Sequence, residues 1–542
     1  MATLRIAQAQ INVTVGDLAG NAGKIADAID RATGGGCDLI TFPELAVCGY
    51  PPEDLLLRPA FLRDCRAAVQ ELAGSCRGIT ALVGFPEEAG GALHNSAAVL
   101  AGGRVEGVYR KVELPNYGVF DEKRYFAPGD VPLVIERCGA RIAVTICEDI
   151  WIDGGNAARW VRKSSADIVL NLSASPFHAG KLGERLEAVR SFARASGAYL
   201  CYNNLAGGQD ELVFDGGALV ASPEGELLAA AERFGEELLV SDFEAGARGE
   251  LSAVAGQRPP ELDRLTEIRA ALVLGTRDYV RKNGFEHVTL GLSGGIDSAL
   301  TAAIAVEAVG ADNVTGVTMP SEFTSGETRS DAERLAANLG IELLTVPIGP
   351  MHHAYLDALA DQLGEDPGVA GENIQARVRG NILMALSNRK GWLVLTTGNK
   401  SESAVGYCTL YGDTAGGFAV IKDVFKTVVF ELSRQINTTA GREIIPETTI
   451  ARPPTAELKA GQKDEDSLPP YDVLDGILRP YVEEDRGAAE IAGMGFDPEL
   501  VDRVIRMVDR AEFKRRQVPP GVKITPKAFG RDRRLPITNR YR

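Results

Sequence analysis

"VTLGLSGGIDSAL", residues 288–300, joins a strand-like apolar run to a helical pattern through a turn dense in glycine and hydroxyl groups. Backbone N–H groups at such a turn, aided by the dipole of the following helix, hold phosphate. The lysine of the G-x-x-x-x-G-K-[ST] loop is missing, so handling of a γ-phosphate is not what this turn is built for. Its backbone amides, with the hydroxyls of Ser293 and Ser298, suit a pyrophosphate leaving group, and Asp297 is a hard carboxylate suited to magnesium beside it. The competing reading is a tight turn in which Asp297 or Ser298 only caps the helix. The S-G-G-x-D-S spelling, set between strand and helix, argues against that.

The pattern around the loop repeats. A strand over 288–292, a helix over 297–309, a strand over 313–319, a helix over 326–339 and a strand over 341–348 predict a parallel, doubly wound sheet, with the loop at a strand's carboxyl end. Ahead of it a helical pattern runs from Thr266 to a glycine stop at Gly284, and 244–268 has the glycine, proline and charge mixture of a crossover. Residues 1–245 have another texture, short β-rich runs such as "LRIAQAQINV" and "DIVLNLSAS" separated by helices. The expected division is a first domain over 1–245, a linker over 246–265 and a second domain over 266–542. "GQKDEDSLPP", 461–470, reads as a mobile acidic loop.

Composition excludes several classes. At 542 residues, 45% apolar and 24% charged, the chain reads as an ordinary globular protein. A net charge of −16 argues against a broad nucleic-acid surface. No run is apolar enough to span a bilayer, and the start lacks a signal-peptide pattern. Eight scattered cysteines without a C-x-x-C pair make no disulfide framework, which points to a reducing cytoplasm. Five histidines without an H-x-x-x-H pair make an imidazole metal site improbable.

The loop resembles that of the ATP pyrophosphatases, which activate a carboxylate or carbonyl as its adenylate and release pyrophosphate. Downstream, "ENIQARVRGNILMALSNRKGWLVLTTGNKSESAVGYCTLYGD" (372–413), "KDVFKT" (422–427), "PPTAEL" (453–458) and "FKRRQVPPGVKITPKAFGRDRRLPI" (513–537) resemble NAD synthetases. The resemblance implies ATP contacts along Gly291, Leu292, Ser293, Gly294, Gly295, Ile296, Asp297 and Ser298, and at Thr397 and Lys426. It implies deamido-NAD contacts at Asn373, Arg377 and Lys514, with Glu402 facing both substrates as a second magnesium ligand or a deamido-NAD contact. Surface ion pairing is the plainer reading of Arg377 and Glu402. The tail from Lys514 to Arg542 holds ten Lys/Arg against Asp532 alone, and its prolines, Phe529 and Ile537 suggest docking rather than a solvated arm. Ammonia-only bacterial members place a lysine near Leu410 and an aspartate near Gly417, a departure that leaves the contacts on the nicotinate side open.

An amidating enzyme needs un-ionised ammonia. "TFPELAVCGYPPEDLL", "YRKVELPNYGVFDEKRYF" and "VTICEDIWIDGG" each place one reactive group near the end of an apolar strand: Glu44, Lys111 and Cys147. A thiolate cleaves amides. Lys111 is expected to lower the thiol's pKa and then bind the oxyanion, and Glu44 to shuttle the proton. Singly, each has an ordinary reading, and most of the cysteines are expected to be core packing. Together the phrases resemble the nitrilase superfamily, which implies an α-β-β-α sandwich over about 3–245. Likeness to the glutaminase domains fused to NAD synthetases implies Glu122 as a second carboxylate, with Tyr117, Ser175 and Lys181 gripping glutamine; packing explains Tyr117 and a solvated helix start Lys181 just as simply.

The expectation is therefore a fused α/β enzyme. Glutamine, ATP and deamido-NAD would give glutamate, AMP, pyrophosphate and NAD in the last step of NAD synthesis, with magnesium, no nucleic-acid or membrane partner, and a homo-oligomeric assembly. Two rivals are a tRNA-modifying enzyme on the same ATP loop, told apart by salt-sensitive RNA binding, and a non-catalytic scaffold. Intact Glu44, Lys111, Cys147, Asp297 and Glu402 count against the scaffold.

Overall fold

The computed structural model describes residues 3–152, 154–245, 251–459 and 461–541. The chain divides into two compact units, Met1–Leu262 and Asp263–Arg542. In the first, a seven-stranded sheet runs in the order Leu251–Ala253, Glu237–Ala245, Thr3–Gln10, Leu39–Thr41, Thr80–Ala89, Ala92–Ala101, Arg104–Arg110. A six-stranded sheet runs Leu227–Ala230, Leu219–Ala221, Tyr199–Asn204, Ile168–Ser173, Ala140–Ile146, Val134–Arg137. The strand Leu251–Ala253 lies within the stretch expected as linker and pairs antiparallel with Glu237–Ala245.

The layers follow from the alternation of side chains along each strand. Ile6, Leu82 and Val99 of the larger sheet meet Val144, Leu170 and Val220 of the smaller in one core. On the outer face of the larger sheet Ala7, Ile40 and Val83 pack against Ile25, Ile29, Val69 and Leu72 of the helices Leu18–Gly34 and Pro59–Ser75. On the outer face of the smaller, Val169 and Leu200 pack against Val161, Val189 and Phe192 of Asn156–Ser164 and Lys181–Ser196. That is an α-β-β-α sandwich. Cys37, Cys48, Cys65, Cys76 and Cys201 are buried with the core, whereas Cys138 is exposed.

The second unit has a five-stranded parallel sheet in the order Glu342–Thr345, Val314–Thr318, Val288–Gly291, Leu393–Thr396, Phe418–Ala419. The strand expected over 341–348 is shorter, because Ile348 leads into the helix Gly349–Ala358. The helices Ile296–Val309 and Gly326–Leu339 connect the first three strands, and the chain crosses back for the fourth. Strand order reverses between Val288–Gly291 and Leu393–Thr396, and ligands of doubly wound sheets bind at the carboxyl ends beside such a reversal.

Two sequence expectations need correction. Asp464 does not lie in a mobile acidic loop: it is buried in a 3-10 turn Asp464–Asp466, and the Tyr471 hydroxyl donates to it at 2.8 Å. The tail docks through Phe529, as expected, but not through Ile537. Phe529 is buried beneath the guanidinium groups of Arg515 and Arg533, while Ile537 is exposed. The Lys400 ammonium, fully buried, bonds Asp423 (2.9 Å), Glu483 (2.8 Å), Thr525 Oγ1 (2.6 Å) and the Lys527 carbonyl (3.0 Å), and so ties that tail to the sheet unit.

Candidate active site

Cys147 ends the strand Ala140–Ile146 and begins the 3-10 turn Cys147–Ile150, with a φ of +42° that a side chain rarely adopts. Lys111 follows the strand Arg104–Arg110, and Glu44 lies three residues past Leu39–Thr41. The neighbouring strand passes the Glu44 segment at Gly84, where a Cβ would lie 2.4 Å from the Leu45 nitrogen and 2.7 Å from the Pro43 oxygen. Only glycine permits that approach.

All three side chains are buried. The Lys111 ammonium donates to Glu44 Oε1 at 2.6 Å and to Glu122 Oε1 at 2.8 Å. Asn95 Nδ2 (2.7 Å) and the Ala174 N–H (3.0 Å) also donate to Glu44, and the Tyr50 hydroxyl donates to Glu122 at 2.9 Å. Burial pushes the Cys147 thiol well above its usual range and the charge of Glu44 adds to this, with Lys111 opposing. Lys111 lowers the thiol's pKa, as expected, but burial outweighs it. Among the carboxylates that act on the thiol, Glu44 acts most strongly, and a carboxylate can accept a proton. Lys111 keeps its proton, since its two carboxylates outweigh its burial.

Of the expected glutamine contacts, Tyr117 and Lys181 both act on Glu148, next to Cys147, and Ser175 follows Ala174, whose N–H bonds Glu44. Tyr117 is exposed, and its hydroxyl donates to both oxygens of Glu148 at 3.0 Å. Lys181 lies 4.2 Å from the Trp151 ring centroid and bonds Glu184 at 2.9 Å, and its charge acts on Glu148. Ser175 is buried, its N–H donating to Asn204 Oδ1 at 2.8 Å.

In the second unit a cavity of about 290 Å³ opens at the strand reversal. It is lined by Gly291 through Asp297, Thr397, Glu402 and Lys426; Ser298 instead turns its hydroxyl to the Gly295 carbonyl at 2.9 Å. Gly294 has a φ of +81°, and a Cβ there would lie 2.2 Å from the Thr328 carbonyl oxygen. Lys426 bonds Asp297, and Glu402 at 2.9 Å. Asn399 joins the pair: its Nδ2 donates to Asp297 Oδ1 at 2.9 Å and its Oδ1 accepts the Glu402 N–H at 2.9 Å. Burial raises Glu402 to about 7, Lys426 opposing and Asp297 adding. Oxygens of both carboxylates converge on a single ammonium, and a hard divalent cation fits that donor set.

Asn373, Arg377 and Lys514 do not line this cavity. They converge on residues 406–410: Thr409 donates to Asn373 Oδ1 at 2.7 Å, Arg377 donates to the Leu410 carbonyl at 3.3 Å, and Lys514 donates to the carbonyls of Gly406 (2.8 Å) and Cys408 (2.7 Å). Sequence reasoning missed Asp464 and Arg379, which also line the cavity, and Asn399. An N-x-x-E spelling ahead of a helix, Asn399 to Glu402, carried the signal for the last.

An amide-cleaving unit and a nucleotide unit on one chain define a class, ligases that draw nitrogen from an amide. Residues 4–251 match the carbon-nitrogen hydrolase family and residues 268–518 the NAD synthase family. The chain is 48% identical to the glutamine-dependent NAD(+) synthetase of Thermotoga maritima over all of both chains, and 47% identical to that of Acinetobacter baylyi over 100% of this chain and 99% of the other. Among solved structures it is similar to the glutamine-dependent NAD+ synthetase of Acinetobacter baumannii in complex with ADP (44% identity, TM-score 0.80, 99% of each chain). It is also similar to that of Cytophaga hutchinsonii (25% identity, TM-score 0.85, 99% of this chain and 98% of the other). The protein belongs to the glutamine-dependent NAD(+) synthetase family.

Proposed function

We propose that the protein converts deamido-NAD to NAD with ATP, using ammonia that it releases from glutamine, and that the residues above divide the work as follows. Cys147 attacks the glutamine side-chain amide while Glu44 takes the thiol proton and passes it to the departing ammonia. Lys111 holds the oxyanion, Glu122 helps hold Lys111, and water then cleaves the thioester to glutamate. Tyr117, Ser175 and Lys181 orient the glutamine. In the second unit the loop from Gly291 to Ser298, with Thr397 and Lys426, holds ATP, and Asn373, Arg377 and Lys514 hold deamido-NAD beside Glu402. Asp297 and Glu402 would hold magnesium, which when bound supplies counter-charge to the phosphates. The deamido-NAD carboxylate becomes an adenylate, pyrophosphate leaves, and ammonia displaces AMP.

The observation that carries this reading is the buried Glu44–Lys111–Glu122 cluster acting on Cys147. The test is ATP-dependent conversion of deamido-NAD to NAD, run with glutamine and then with ammonium. Activity with ammonium alone would leave the first unit without its proposed role.

A further inference from the structure

Cys147 and Lys111 come from different sheets, the nucleophile from the smaller and the lysine from the larger. Apolar packing between sheets is not directional, so it does not by itself fix the distance between two reacting groups. Polar links cross between the sheets at several points, Gln8 to the Tyr202 carbonyl and Asn203 to the Thr41 carbonyl among them, and two of these links hold the segments of Glu44 and Cys147. One is the bond from the Ala174 N–H to Glu44. The other is Asp149, which is fully buried.

We infer that Asp149 is a positioning residue for amide hydrolysis, one carboxylate fastening the turn that carries Cys147 to the backbone on either side of Lys111; this rests on the roles proposed for Cys147 and Lys111. Oδ2 accepts the N–H of Ile146, the residue before the nucleophile, at 2.8 Å and the Tyr109 hydroxyl at 2.8 Å. Oδ1 accepts the N–H groups of Val112 and Glu113 at 3.1 and 2.9 Å. A carboxylate has about four lone-pair sites, and all four are used. Plain capping of the Cys147 turn explains only the bond to Ile146. The three remaining donors belong to residues within two positions of Lys111: Tyr109 on the last strand of the other sheet, and Val112 and Glu113 just past its end. The left-handed backbone at Cys147 needs such an outside restraint. Burial raises the Asp149 carboxyl to about 6, its hydrogen bonds opposing, so at neutral pH the acceptor-only form is the one present.

Asp149→Asn keeps the shape but turns an NH2 group toward two donors. In the full-length protein it should lower glutaminase kcat by at least 30-fold with KM for glutamine within about 3-fold, and leave ammonium-driven NAD formation unchanged. It should also move the pH profile of Cys147 alkylation by iodoacetamide, because Lys111 no longer sits at its set distance from the sulfur. Glu113→Pro removes one donor without touching the carboxylate, and should lower kcat about 10-fold with a smaller move in the same direction; it decides the matter if the first variant does not fold. Glutaminase kcat within 3-fold of wild type, or an unmoved alkylation profile, overturns the inference. Wild-type glutaminase in Cys147→Ala would sink the underlying roles instead.

Discussion

Replacing Lys426 by methionine removes the ammonium that holds Asp297 and Glu402 together in the ATP cavity. The lysine is about 2% exposed and touches both carboxylates, and Asp464 adds a third negative charge nearby. Taking one partner from a buried ion pair costs about 3–5 kcal/mol, since the remaining charge is left uncompensated. The loss should depend on pH, and the sign follows from Glu402. Its folded pKa, about 7, already lies above the usual carboxylate range. A raised acid contributes stability that is fully present below its unfolded pKa and is lost as pH rises through the folded one. Without the lysine that folded pKa climbs further, so the penalty is full at pH 8.5 and shrinks at pH 5.5, where Glu402 takes a proton. Of the three tryptophans only Trp392 lies in the second unit. In a Trp151→Phe, Trp160→Phe background its fluorescence follows urea unfolding of that unit alone. The expected loss is about 3–5 kcal/mol at pH 8.5 and less than half of that at pH 5.5, with most of it restored by adding Asp297→Asn. A loss below about 1 kcal/mol at pH 8.5, or the same loss at both pH values, would refute the reasoning.

Cys147→Ala should abolish NAD formation from glutamine and leave formation from ammonium largely intact, as separate assays with the two nitrogen donors will report. Gly294→Ala places a methyl group against the Thr328 carbonyl in left-handed backbone and should raise KM for ATP more than 10-fold with either donor. Gly295→Ala, where a Cβ meets only Ser293 Oγ at 3.3 Å, should change it little, and equal effects of the two would contradict the loop geometry. Because burial holds the Cys147 thiol high, its alkylation without glutamine should still be accelerating at pH 9, and Lys111→Met should slow it further by removing the opposing positive charge.

The second unit's fold was legible because its signals are local, and the first unit's through the resemblance carried by the phrases around Glu44, Lys111 and Cys147. The strand–loop–helix run at 288–309 states its own geometry, and Glu44, Lys111 and Cys147 each sit at the end of an apolar strand. What escaped was pairing across long sequence separations. Asp464 looked solvated because its run is acidic, but hydroxyls from Tyr471 and, at 3.3 Å, Tyr407 make its burial tolerable, and Tyr407 is 57 positions away. Asp149 drew no notice in the sequence because its partners at 109–113 lie 36 to 40 positions away. The balance at the Cys147 thiol was only half legible for a related reason: the lysine's charge is visible in a sequence, while the depth of burial that outweighs it is a product of packing.

The buried Lys400 has a consequence for how the protein is made. Its ammonium needs Thr525 and the Lys527 carbonyl, so the second unit cannot close around it until those residues have left the ribosome. At roughly 5–20 residues per second, synthesis of Asp263–Arg542 takes about 15–55 s. For most of that interval the first unit is clear of the ribosome and can fold, whereas the helix beginning at Lys400, which carries Glu402, lacks the partners that bury its first residue. Each nascent chain therefore passes through a period in which the half carrying Cys147 can be complete and the half that would consume its ammonia cannot.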